Sequence, residues 1–191
     1  MFFVVLSLGG SIVREKLSGS FIRLKTLPTN YFIALLSKQI TYLVVTLLQA
    51  AVIFSMGVFL FPYIGLPALN LPADISGLFF VTFFCGWCAV SYAICVGVFA
   101  QTQEQANGFG AVSIVILAVT GGLMVPSFAM PDSFKTAINI SPLHWCLEAY
   151  YGLFLEGGKL RDVLMNIIPL FVITLLLQGL TFTGLKIKKL I

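Results

Sequence analysis

Four stretches of this chain contain no charged residue: Gln39–Phe61, Ser76–Ala100, Gly108–Val125 and Val163–Leu185, of 23, 25, 18 and 23 residues. A bilayer core about 30 Å thick takes roughly 20 apolar helical residues to cross. An Asp or Lys at the centre of a span costs about 2.5–3.5 kcal/mol, so the gaps between charges mark spans. The apolar runs are continuous rather than alternating, which does not fit a barrel of lipid-facing strands. Composition agrees: 59% of residues are hydrophobic and 9% charged, where a soluble domain carries roughly 25% charge. The expectation is an all-α integral membrane protein, with residues 1–191 as a single transmembrane domain.

The first 13 residues, Met1–Val13, are apolar but too short for a full span. Basic residues follow this stretch instead of preceding it, the reverse of a secretory signal. It reads as the inner end of a truncated span, in a chain that begins within a longer protein.

Lysine and arginine set the orientation. Arg14, Lys16, Arg23, Lys25 and Lys38 lie in one segment, and Lys186, Lys188 and Lys189 near the end. Lys135, Lys159 and Arg161 fall on the other side. That bias puts residues 14–38, the loop 101–107 and the C-terminus in the cytoplasm of a multi-pass inner (plasma) membrane protein. Anionic lipid of the inner leaflet accounts for the net charge of +4 without a nucleic-acid partner.

The basic segment has a pattern of its own. Leu17, Phe21 and Leu24 recur at i, i+4 and i+7, one apolar face of a helix that Arg14, Arg23 and Lys25 avoid. Pro28 ends that pattern, and Asn30 suits the cap of the next helix. The expectation is an amphipathic helix on the inner membrane surface. Holding the positive side inward would by itself explain its charges.

The outer segment 126–162 is more than a loop. Ser141 and Pro142 suit a helix start, as N-cap and first helical residue, and Gly157-Gly158 suits a stop. Trp145, Tyr150, Tyr151 and Phe154 lie between them, aromatic residues that favour the membrane interface. Two short helices on or in the outer leaflet are expected here.

Cys85 and Cys88 form "CGWC", the spacing of a redox motif. Redox chemistry needs a helix N-terminus after a strand to lower a thiol pKa, and this motif lies inside an apolar run. With Cys95 two turns on and His144 and Cys146 in the outer segment, it reads as packing, with no metal or cofactor. Polar residues within the spans form two stripes. Gln39, Tyr42, Thr46 and Gln49 share one face, and Thr174, Gln178 and Thr181 another. Such stripes turn inward in lipid, toward a translocation path or toward other helices. Interhelical hydrogen bonding is the simpler account of any single residue.

The run "REKLSGSFIRLKTLPTNYFIALLSK" resembles the cytoplasmic segment of type-2 ATP-binding-cassette exporter permeases through Arg14, Glu15, Gly19, Ser20, Pro28, Ser37 and Lys38. "SPLHWCLEAYYGLF" resembles the signature before the final span of that family through Ser141, Pro142, Trp145, Glu148 and Ala149. The resemblance covers nearly the whole chain and implies six spans per unit, of which this chain would supply five, the first truncated. It implies a coupling helix over 14–30, with Arg14, Glu15, Leu17, Gly19, Phe21, Leu24 and Pro28 docking on a separate ATP-binding-cassette ATPase subunit. It also implies a second permease copy or paralogue, and re-entrant outer helices. No G-x-x-x-x-G-K-[ST] occurs, so hydrolysis would belong to the partner and this chain would not be an enzyme. Efflux of a lipophilic or amphipathic substrate is the expected function. A secondary carrier or channel, and a non-transporting scaffold or fragment, are the alternatives. The spans hold no mid-span acid or base for proton coupling and no paired broken helices.

Overall fold

The computed structural model of the protein describes residues 3–19, 31–124 and 135–187. Among the described residues there are seven α-helices and no strand. They are α1 (Phe3–Leu17), α2 (Tyr31–Tyr63), α3 (Ile75–Phe99), α4 (Gln103–Thr120), α5 (Lys135–Ile140), α6 (Pro142–Phe154) and α7 (Leu160–Ile187). Three of them are long and apolar enough to cross a membrane: Ile33–Tyr63, Ile75–Phe99 and Leu160–Ile187, with mean hydropathies of 2.3, 2.0 and 2.2. In the most apolar window of α3, 61% of residues are buried, against 17% in α2 and 22% in α7. α3 is therefore the most buried of the three, while α2 and α7 keep broad apolar faces exposed.

Two boundaries differ from the sequence expectation. The charge-free stretch 108–125 does not form a helix of its own. α4 begins earlier, at Gln103, because Thr102 and Gln105 form a reciprocal cap: the Gln105 N–H donates to Thr102 Oγ1 at 3.1 Å, and Gln105 Oε1 accepts the Gln101 N–H at 2.7 Å. It stops at Thr120, where Gly121 and Gly122 turn the chain and Gly122 takes a φ of 87°. The second difference lies at the start of the basic segment. Arg14–Leu17 form the last turn of α1, not the first turn of a separate amphipathic helix. Gly19, with a φ of 72°, follows that turn.

Contacts divide the chain into two units. The first comprises Met1–Val44, Trp87–Ile116 and Val172–Ile191. Its core joins Val4, Val5, Leu8 and Ile12 of α1 to Val90, Ala93, Ile94 and Val98 of α3 and Leu185 of α7. The α1 residues recur every three to four positions, so a single face of that helix is buried. Glycines allow close approach: a Cβ at Gly97 would lie 3.0 Å from both the Gly9 carbonyl oxygen and Ile12 Cβ. Val13, Ala100 and Ala106 continue the packing from α1 to the first turn of α4.

The second unit comprises Val45–Gly86 and Leu117–Phe171. Here α6 packs on α2 and α3. Phe54 stacks on Phe154 at 5.9 Å and meets Tyr150 at 6.2 Å. The Tyr150 hydroxyl donates to Thr82 Oγ1 at 3.0 Å. Gly157, with a φ of 61°, turns the chain between α6 and α7, as the Gly-Gly pair in the sequence suggested.

Candidate functional site

Three places hold the residues singled out in the sequence. The first is the end of α1, in the first unit. Arg14 and Leu17 are exposed, Leu17 at 67%. The Ser18 N–H donates to the Arg14 carbonyl at 2.9 Å, and the Ser18 hydroxyl to the Glu15 carbonyl at 3.1 Å, closing the helix before Gly19. Phe21, Leu24 and Pro28 lie outside the described residues. Glu15 forms an ion pair with Lys38 of α2, so the two arms flanking residues 20–30 are joined. Lys16 donates to the carbonyls of Val98 and Ala100, both at 2.8 Å.

Nothing in the sequence marks that last contact. A lysine in a basic run reads as a topological charge, yet Lys16 reaches two carbonyls more than eighty residues away. Beside it, Tyr92, Cys95, Phe99, Gln105 and Phe109 line a half-open cavity of about 310 Å³. The Tyr92 hydroxyl donates to Ser113 Oγ at 2.6 Å.

The second place is the set of polar residues within the long helices. Gln39 of α2 and Gln178 of α7 both donate to the hydroxyl oxygen of Ser91 on α3, at 3.3 and 3.5 Å. Ser91 is 1% exposed and joins the two stripes, although a lone serine in an apolar run gave no signal. Thr46 and Thr174 are fully buried, and Thr181 is nearly so, donating to the Leu177 carbonyl at 2.8 Å. Gln49 is half-buried. None of the six lines the α3–α4 cavity or the apolar groove along α2 between Leu48 and Tyr63. What the geometry gives Gln39 and Gln178 is an interhelical hydrogen-bond node.

The third place is the start of α6, in the second unit. Ser141 occupies the N-cap position and Pro142 the first helical residue. The Ser141 hydroxyl does not cap its own helix. It donates instead to the Leu117 carbonyl near the end of α4, at 2.9 Å, an oxygen that also accepts the Gly121 N–H at 2.8 Å. Gly121 makes this approach possible: a Cβ there would lie 2.9 Å from Ser141 Oγ and 3.0 Å from the His144 nitrogen. The Trp145 indole N–H donates to the Asn139 carbonyl at 2.8 Å, and its ring meets His144 edge-on at 5.3 Å. Glu148 is half-buried, and Ala149 is fully buried. Cys85 and Cys88 of the "CGWC" pair are free and buried among apolar neighbours of α3.

Among the described residues no group of three or more His, Cys, Asp or Glu side chains could hold a metal ion. The contacts at the start of α6 fix a short helix against longer ones, and those at the end of α1 tie its last turn to α2 and α3.

No curated protein and no solved structure matches the chain. The family model described as ABC-2 type transporter matches residues 1–155, which takes in both the Arg14–Lys38 segment and the Ser141–Ala149 signature. The chain belongs to the ABC-2 type transporter family and is a membrane permease component of an ABC transporter.

Proposed function

We propose that this permease exports a lipophilic or amphipathic substrate across the inner (plasma) membrane, driven by ATP that a partner ATP-binding-cassette subunit hydrolyses. The chain would contribute five spans, with α1 and α4 joining the three longer helices, and would pair with a second permease copy or paralogue. Residues 14–30 would dock on the ATPase, with Phe21 as the anchor. The observation that carries this reading is the Glu15–Lys38 ion pair. It draws together the helices on either side of residues 20–30, so a push on that segment acts on α1 and α2 together. A segment that served only to keep positive charge inside would need no such tie. The apolar lining of the α3–α4 cavity supports an amphipathic cargo.

The test is Phe21→Ala in the full-length protein with its associated ATPase. Aromatic anchors at protein interfaces are worth about 2 kcal/mol or more on truncation. Insertion should be normal, while ATPase association or permease-stimulated hydrolysis should fall. A variant that binds the ATPase and exports as well as the parent would reduce the segment to a topological anchor.

A further inference from the structure

We infer that Lys16 is a positioning residue for energy coupling: its ammonium locks the end of α1 to the end of α3, so that movement of the docking segment is delivered to α3 and α4. The inference rests on the coupling reading of residues 14–30.

The contact is specific in a way a surface lysine is not. Lys16 lies in the last turn of α1 and donates to the carbonyls of Val98 and Ala100, each at 2.8 Å. Those oxygens belong to the last turn of α3 and the residue just after it, where a helix carries partial negative charge. α1 and α3 both end here, so their negative ends lie together. One ammonium serves both, completing the cap of α3 and offsetting the repulsion between the two termini.

The joint is stiff on every side. Behind Lys16, the α1 face of Val5, Leu8 and Ile12 is buried against Val90, Ala93 and Val98. At Gly97 a Cβ would lie 3.0 Å from the Gly9 carbonyl oxygen, tighter than an ordinary contact. Beyond Ala100, the Thr102–Gln105 cap starts α4 within three residues. Packed interfaces of this kind pass a displacement on instead of absorbing it. The neighbouring Glu15–Lys38 pair ties the same turn to α2. Successive side chains of one helical turn thus hold two different helices.

The experiment uses the full chain, affinity-tagged and purified from its native membranes with the ATPase that accompanies it, with Mg-ATP as the probe. Lys16→Met removes the ammonium and keeps an unbranched side chain. Lys16→Arg keeps a cation that can reach the carbonyls. Lys186→Gln, exposed in the last turn of α7 and outside residues 14–30, removes a positive charge elsewhere. Two quantities are read: amide hydrogen exchange over residues 96–106, and ATP hydrolysis per permease together with export. Lys16→Met should speed exchange in that stretch and lower coupled hydrolysis and export by about two- to thirtyfold, the range found for residues that carry coupling between sites. Lys16→Arg should restore both, and Lys186→Gln should leave both near the parent level. Unchanged exchange in Lys16→Met overturns the inference, and so does faster exchange with intact coupling. If the parent chain neither retains nor stimulates an ATPase, the coupling reading falls and takes this inference with it. That result is distinct from a coupled parent whose Lys16→Met variant is equally coupled. Should Lys16→Met fail to accumulate, Lys16→Arg and Lys16→Gln carry the comparison, and equal coupling in Arg and Gln overturns the inference.

Discussion

The carboxylate of Asp74 accepts the backbone N–H of Leu160 at 2.9 Å, joining residues that lie 86 positions apart. The same carboxylate accepts the Ser76 hydroxyl and, at 3.1 Å, the Gly77 N–H. One side chain therefore caps the first turn of α3 and holds the first residue of α7. Free N–H groups at a helix start favour an anion, and here two helices share one. The Ser76 hydroxyl, then the Leu160 and Gly77 amides, hold the Asp74 carboxyl down from its ordinary 3.8 to about 2.

A carboxylate whose pKa falls on folding stabilises the fold above its unfolded pKa, and that contribution is lost as pH drops through the folded value. For Asp74 the window runs from about 3.8 down to about 2. Asp74→Asn should lower the thermal midpoint in detergent at neutral pH, because an amide cannot accept at both oxygens. It should also flatten the decline in midpoint between those two pH values. Parallel pH curves for parent and variant would show that the double cap contributes nothing.

At the outer helix the prediction is a contrast between two neighbours. Ser141→Ala loses one hydrogen bond to the Leu117 carbonyl, a cost of about 0.5–1.5 kcal/mol. Gly121→Ala drives a methyl group into Ser141 and the α6 backbone. Overpacking of that kind typically costs about 1–3 kcal/mol, and here the obstacle includes main chain that cannot swing aside. Thermal unfolding should rank Gly121→Ala as the more damaging. The reverse order would mean that α6 can back away from α4 without loss.

The indole of Trp145 gives a separable test. Trp145→Phe keeps an aromatic ring but loses the N–H that reaches the Asn139 carbonyl, and it should destabilise by about 0.5–1.5 kcal/mol. Trp145→Ala loses the packing as well and should cost more. If Phe and Ala behave alike in thermal melts, the hydrogen bond carries the whole effect and interfacial anchoring carries none.

Long helices were legible in the sequence because charge is so costly in hydrocarbon that its absence over twenty residues has few other causes. The helix 142–154 was legible too: Pro142 at its first position and the Gly157-Gly158 pair after it act on their own backbone, and that information is local. What the sequence hid is tertiary. Ser91, Gly121 and Lys16 each owe their role to a partner twenty or more residues away, and nothing in their own neighbourhood marks them. Ser141 shows both sides of this. Its position as N-cap could be read directly, but the target of its hydroxyl could not, because the Leu117 carbonyl reaches it only through the turn at Gly121. Lys16 was read as one charge among five, since a positive run suits topology whichever of its members also makes a contact.

The final prediction concerns orientation, on which the docking of an ATPase depends. By the positive-inside rule, positive charge on the α1–α2 side and at the C-terminus would place those parts in the cytoplasm. Ala68 and Lys159 are exposed in the loops on the other side, and Glu104 is exposed in the first turn of α4 on the cytoplasmic side. Cysteine substitutions at these three sites should leave packing intact. The native cysteines are buried or half-buried, so background reaction with a charged reagent should be low. In intact cells an impermeant maleimide should label Ala68→Cys and Lys159→Cys and spare Glu104→Cys, which should react only after the membrane is opened. Labelling of Glu104→Cys alone in intact cells would invert the protein. The turn bearing Glu15 and Lys16 would then face away from any source of ATP, and coupling through residues 14–30 would have to be abandoned.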